Sequence, residues 1–205
     1  INTLHFHLTD DNGWRLEIKK YPRLTETGAW RVNRMDVPFY FRRNPEPGEP
    51  TPIGGFYTQE DVKEMVAYAA ERQIEIIPEI DMPAHSNAAL AAYPELTCPI
   101  VKSYIGVIPG LGGGNSGVIY CAGKDSAFTF LQNVLDEVMA LFPSRYIHLG
   151  GDEAQKGYWE KCPLCQARMK NEHLDNEEDL QGYFMKRMSD YVCSNCLLYT
   201  SDAAD

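Results

Sequence analysis

Residues 3–8, Thr-Leu-His-Phe-His-Leu, alternate polar and apolar positions with the period of a strand, and the polar run Thr9–Gly13 closes it as a turn. A stretch rich in Pro, Arg and Gly at 31–55 reads as a long loop. Thr58, with Asp61 three residues on, has the form of an N-cap with an acidic partner. The helix it predicts runs to about Arg72 and lines up Val62, Met65, Val66 and Ala69 on one face. Ile74–Ile80 is the next strand and runs into Asp81-Met-Pro-Ala-His85. After a Gly-rich loop at 101–124, Asp125 or Ser126 caps a helix through Leu141 whose apolar face holds Phe130, Leu131, Val134, Leu135 and Val138. A strand over Tyr146–Gly151 follows, then helices at about 155–172 and 177–192.

Strands alternating with helices in this way predict βα units on a parallel sheet, an α/β fold. After each strand the next residues are polar: Asp10 and Asp11, then Asp81 and His85, then Asp152 and Glu153. Parallel α/β folds gather their chemistry at that end of the strands. Three such groups meeting at one face favour an enzyme.

Composition narrows the classes further. The 205 residues are 44% hydrophobic and 11% aromatic, ordinary for a globular chain. A formal net charge of −10 argues against nucleic acid as a partner. No apolar run approaches the roughly 20 residues that span a bilayer. The chain begins at Ile1, already within a predicted strand, and is expected to be a piece of a longer polypeptide. Cys162 with Cys165 and Cys193 with Cys196 each have CxxC spacing, a pattern that can hold zinc, while Cys98 and Cys121 flank the Gly-rich loop and could pair by oxidation. No metal or cofactor is expected from these residues.

The most informative stretch is His148-Leu-Gly-Gly-Asp-Glu153. Adjacent carboxylates repel unless the site uses them differently, one ionised and one protonated. The bland alternative is a glycine turn leading into an acidic helix start. Successive strand residues point to opposite faces, so both acids reach one ligand only if the strand has ended and the backbone turns at Gly150-Gly151.

The stretches LHFHLTDDNGWRLEIKKYPRLTETGA (4–29), GGFYTQEDVKEMVAYAAERQIEIIPEIDMPAHS (54–86) and YIHLGGDEA (146–154) together resemble glycoside hydrolase family 20, the β-N-acetylhexosaminidases. The resemblance implies an incomplete (β/α)8 TIM barrel in which residues 1–192 supply approximately strands 2 to 4 with their helices. Residues 193–205 depart from the family pattern and are expected to be a non-native tail. The resemblance further implies removal of terminal β-linked N-acetylglucosamine or N-acetylgalactosamine with retention, by substrate-assisted catalysis through an oxazolinium intermediate. Glu153 would be the general acid and base, and Asp152 would orient the acetamido group. His85 and Asp10 would form an Asp–His–Glu arrangement with Glu153. Asp11 reads equally as part of a solvated turn. His148 shares a face with Gly150 and Asp152, and reads as the floor of the site or as a packed core histidine.

The partners so implied are N-acetylhexosamine-terminated glycans or chitooligosaccharides, and the expected location is extracytoplasmic. Ala84 stands where the family usually has Gly, so a positive φ there would add strain. Trp14, Trp30 and Trp159 could be sugar-stacking platforms, but aromatic residues at such positions are more often core, and they are not assigned to the site. The segment by itself is expected to be inactive, because part of a barrel leaves strand edges unpaired. Three other readings stay open, one of them an unrelated barrel glycosidase with Asp10 or Asp11 as a carboxylate nucleophile. His5 and His7 on one strand face, with His85, His148 and Asp152, could make a metal-dependent barrel hydrolase. A non-catalytic carbohydrate-binding module would have no use for Asp152-Glu153 beside His85.

Overall fold

The computed structural model describes residues 1–110, 117–195 and 198–200. In chain order these form β1 (Thr3–His7), the hairpin strands β2 (Thr9–Asp10) and β3 (Gly13–Trp14), α1 (Arg23–Glu26), the pair β4 (Trp30–Arg31) and β5 (Ile53–Gly54), α2 (Gln59–Ala70), β6 (Glu75–Glu79), α3 (Asn87–Ala92), α4 (Asp125–Leu141), β7 (Tyr146–His148), α5 (Pro163–Glu172), α6 (Glu177–Ser194) and β8 (Leu198–Thr200). Strands β1, β6, β7 and β8 lie side by side in that order, every neighbouring pair parallel. Helices link the successive strands, as in a segment of a (β/α)8 barrel.

The helices form where the pattern demands. Thr58 accepts the Asp61 amide at 3.1 Å while Asp61 accepts the Thr58 amide at 2.8 Å, a reciprocal cap at the start of α2. Helix α4 buries Phe130, Leu131, Val134, Leu135 and Val138 as expected, together with Phe128, whose ring lies 4.7 Å from that of Phe184 on α6. Fully burying side chains of this size contributes about 1.5–3 kcal/mol each.

Several boundaries differ from the sequence reading. Neither Asp125 nor Ser126 caps α4; Asp125 instead pairs with Arg168 at 2.8 Å and Arg187 at 2.6 Å, tying α4 to α5 and α6. Strand β7 stops at His148 because Gly150 and Gly151 take φ of 65° and 112°. Helix α5 starts at Pro163 rather than near 155, since the preceding segment turns to bury Trp159, and proline suits a first helical position. Within the segment expected to be a non-native tail, α6 runs on to Ser194 and β8 pairs with β7 from Tyr146↔Leu198 to His148↔Thr200. Residues 201–205, Cys196 and the 111–116 part of the Gly-rich loop lie outside the described residues.

The cysteines also differ from expectation. Cys162 and Cys165 do not face Cys193, which is exposed; they meet Cys98 and Cys121 in the interior, all four as free thiols. Trp14 and Trp159 are buried, their indole N–H groups bonded to the carbonyls of Leu16 and Tyr120, as core residues require.

Candidate active site

The parallel register pairs His7 with Glu79 and Glu79 with His148. Side chains two apart on a strand share a face, so His5, His7, Glu79 and His148 meet on one side of the sheet. Glu79 lies 2.7 Å from both His5 Nε2 and His7 Nδ1 and 3.1 Å from His148 Nδ1. Burial works to raise the Glu79 carboxyl, but the hydrogen bond from His7 and the charges of the three histidines hold it below its ordinary value.

Beyond this layer the three strand ends converge. The turn after β6 puts His85 at φ 45°, in the left-handed region, which histidine enters more readily than most residues. The anticipated strain at Ala84 therefore falls one residue later. At this φ the His85 ring bridges two acid pairs. Its Nδ1 lies 3.2 Å from Asp10 and 3.6 Å from Asp11; its Nε2 lies 3.5 Å from Asp152 and 3.6 Å from Glu153. Hydrogen bonds to Asp10 and Asp11 outweigh burial and push His85 up to about 11, so the ring is a cation at neutral pH. His7 is pushed up to about 10 by Asp10 and Glu79 in the same way. Burial would raise Asp10, but the bonds from His7 and His85 prevail and hold it well below the usual carboxylate range.

After β7 the backbone turns where the glycines permit. A Cβ on Gly150 would sit 1.8 Å from Asp81 Oδ1, so only glycine lets Asp81 occupy that space. The Gly151 amide donates to Asp81 Oδ1 at 3.3 Å, and Gln181 of α6 holds the Gly151 carbonyl at 2.6 Å. Glu153 then takes φ 46°. This turn lets both neighbouring acids reach the His85 ring in different settings: the Glu153 side chain is 73% exposed, whereas Asp152 is 40% exposed and its Oδ1 is buried with no hydrogen-bond partner.

Of the expected site residues, Asp10, His85, Asp152 and Glu153 come together around one imidazole. Asp11 is more than a solvated turn: its carboxylate accepts the Asn87 amide at 3.0 Å and so pins the start of α3 beside His85. His148 Nδ1 lies 3.1 Å from Glu79 and 3.1 Å from the Gly150 amide, and its ring is tilted against that of His5 with centroids 4.5 Å apart, in the layer below. The residues proposed for a metal hydrolase divide between those two layers. His5 and His148 lie with Glu79, while His85 lies with Asp81 and Asp152. Sequence reasoning missed Glu79 as a site residue, though a carboxylate inside an apolar strand signals buried partners. Asp81, at the strand end, is buried by Thr9, Gly150 and Gly151; burial pushes it up to about 8 against the opposing charge of His85.

A profile described as "Glycosyl hydrolase family 20, catalytic domain" matches residues 1–198. A β-hexosaminidase of Porphyromonas gingivalis is 48% identical over 91% of this chain, and one of Akkermansia muciniphila is 41% identical over 90%. The chain spans only 22% and 35% of those two proteins. The crystal structure of a β-N-acetylhexosaminidase from Bacteroides fragilis superposes with a TM-score of 0.78 at 45% identity, covering 98% of this chain and 35% of that one. An exo-β-N-acetylglucosaminidase from Vibrio harveyi, solved in complex with N-acetylglucosamine, gives 0.79 at 34% identity over 98% of this chain and 30% of its own.

Proposed function

Because the chain belongs to glycosyl hydrolase family 20 and carries part of its catalytic domain, we propose that the protein it comes from is a β-N-acetylhexosaminidase that removes terminal β-linked N-acetylhexosamine by substrate-assisted catalysis. The observation that carries this reading is the contrast between the two neighbouring acids: Asp152 presents a buried, unpartnered oxygen beside the exposed carboxyl of Glu153. A buried acceptor without a partner costs about 1–3 kcal/mol. The N–H of a 2-acetamido group is a donor that would recover it.

In the proposed reaction the acetamido carbonyl oxygen attacks C1 while Glu153 gives its proton to the departing glycosidic oxygen. The C1–O bond breaks and an oxazolinium ring forms. Asp152 accepts the acetamido N–H and offsets the positive charge that develops on that nitrogen. Water then adds to C1, loses its proton to Glu153 and reopens the ring, leaving the β-anomer. The His85 cation, anchored by Asp10 and Asp11, keeps both working carboxyls in place. Glycans or chitooligosaccharides ending in N-acetylhexosamine are the substrates this implies.

We further propose that this chain supplies about half of the barrel, its parallel strands running from β1 to β8, and that the 205 residues alone do not turn over substrate. Four strands are half of an eight-stranded barrel. Strand β1 presents an open edge beside the groove of Leu4, Phe6, Tyr57, Met65 and Tyr68. Turnover of an aryl N-acetylglucosaminide by the isolated chain would overturn the half-barrel argument. In a complete catalytic domain containing these residues, Glu153→Gln should lower kcat by about 10²–10⁴-fold with binding retained. Aryl glucosides lacking the 2-acetamido group should not be cleaved; comparable rates on both sugars would refute the mechanism.

A further inference from the structure

Four buried cysteines lie away from the acids described above, and the proposed reaction has no use for them. Cys98 follows the short turn Pro94–Leu96, Cys121 follows Tyr120, and Cys162 and Cys165 flank the first turn of α5. Three separate segments thus deliver four thiols to one point. Buried cysteine is often no more than a small apolar side chain, but the spacing here is that of a cage. The Sγ atoms of Cys98 and Cys165 are 3.7 Å apart, those of Cys121 and Cys165 3.7 Å, and those of Cys121 and Cys162 3.9 Å. All four sulfurs lie within 4.8 Å of one another. A zinc ion bound tetrahedrally at a Zn–S distance of about 2.3 Å requires sulfur–sulfur edges of about 3.8 Å.

We propose that Cys98, Cys121, Cys162 and Cys165 form a structural Zn²⁺ site that fastens the 98–121 loop to the start of α5. This revises the expectation that the chain holds no metal. It also replaces the zinc pairing suggested by spacing alone, because the partners of the Cys162–Cys165 pair come from the Gly-rich loop and not from the Cys193 segment. A soft, closed, all-thiolate tetrahedron selects zinc among the common divalent ions and leaves no position open for catalysis.

The surroundings suit thiolates. The N-terminal end of the ten-residue α5 abuts Cys162 and Cys165 and favours negative charge. Gly123 lets the two segments touch, since a Cβ there would lie 2.3 Å from the Leu164 carbonyl carbon and 2.5 Å from the Cys165 nitrogen. Filling the site takes up one Zn²⁺ and releases the protons still carried by the four thiols.

The fastened loop matters to the acids because its interior lies against their turns. The Ile108 amide donates to the Asp11 carbonyl at 3.1 Å, Asn12 Nδ2 donates to the Ile108 carbonyl at 2.6 Å, and the Tyr120 amide donates to the Pro83 carbonyl at 3.2 Å. A metal clip at the loop's two ends closes a segment whose described residues hold no helix and only the isolated bridge of Tyr120 to Thr97.

The test uses the full chain, expressed with zinc supplied and purified without chelator. Elemental analysis should find stoichiometric zinc, released when an organomercurial titrates the thiols. Replacing the metal with Co²⁺ should give the intense visible bands and thiolate-to-cobalt charge transfer of a tetrahedral sulfur site. The double variant Cys162→Ser/Cys165→Ser should lose both signals, and Cys193→Ser should keep them. If the double variant does not fold, zinc content and mercurial release in the unmutated chain still decide the matter. Metal-free protein whose four thiols titrate as free on unfolding would overturn the proposal. So would non-reducing peptide mapping that finds the four cysteines joined as disulfides.

Discussion

Replacing Asp81 with Asn should remove a pH dependence of stability that the buried carboxyl imposes. Asp81 is 3% exposed, between Thr9 and the Gly150-Gly151 turn, with the carboxyls of Asp152 and Glu79 adding to the cost of ionising it. Its value rises from 3.8 in the unfolded chain to about 8 in the fold. Between those two values the folded chain keeps a proton that the unfolded chain has released, so stability falls as pH rises and levels off above the folded value. The slope is about 1.4 kcal/mol per pH unit at most. His7 and His85, raised to about 10 and about 11, also make stability fall with pH, but only above the ordinary histidine value of 6.5. Asp10 and Glu79 are lowered, and their contributions are complete once pH exceeds the unfolded carboxylate range. The window from about pH 5 to about pH 6.5 therefore isolates Asp81, and there the unmutated protein should lose on the order of 2 kcal/mol. Asn keeps the shape and the oxygen that accepts the Gly151 amide, so Asp81→Asn should be nearly flat over the same window. Urea unfolding followed by the fluorescence of buried Trp14 and Trp159 measures both slopes. Equal slopes in the two proteins, or a flat profile in the unmutated one, would refute the reasoning.

Two further substitutions test the local geometry. Gly150→Ala must hold a side chain at φ 65° and displace Asp81 Oδ1, which a Cβ would approach to 1.8 Å, so it should cost at least about 2 kcal/mol in urea unfolding; stability unchanged would show that the Asp81 contact is not formed. Thr58→Ala breaks the reciprocal cap of α2 and should lower stability by about 1 kcal/mol in the same assay, with no effect on the acids of the site.

What was legible in the sequence was legible because it is periodic. The apolar stripe of α4 puts in the core the residues that burial does, and that of α2 does so for Val62 and Ala69, with Met65 and Val66 half-buried. The alternation in β1 marked the strand, although Leu4 is exposed and Phe6 half-buried on its open edge. The acids at the strand ends were readable because charge directly after an apolar run has few structural uses. Pro163 also marked a helix start, but its signal was lost among the charged residues before it. Long-range coincidence was not legible. Cys98 and Cys165 are 67 residues apart, and Cys121 and Cys162 are 41 apart, so no local spacing reports that their sulfurs meet. Glu79 was hidden for a related reason. In a strand covered on both faces, apolar neighbours mask which side a carboxylate takes until the register with His7 and His148 is known.

The pairing of Asp152 with Glu153 brings these two kinds of information together. Sequence shows that two carboxyls are adjacent and that two glycines precede them, but adjacency alone makes the residues chemically equivalent. The fold separates them by what lies behind each. Asp152 turns towards His85, and Asp81 is close enough to it for their charges to interact. At neutral pH Asp81 keeps its proton, so this nearest buried carboxyl adds no negative charge against Asp152, and the His85 cation supplies a positive one. Glu153, rotated outward by its positive φ, touches the same imidazole but keeps most of its side chain in solvent, where a proton can arrive and leave. In the proposed mechanism the first would hold charge against a bound amide and the second would exchange a proton with a leaving group or water. The difference depends on Gly150 leaving room for Asp81, on Asp81 staying neutral, and on His85 being a cation.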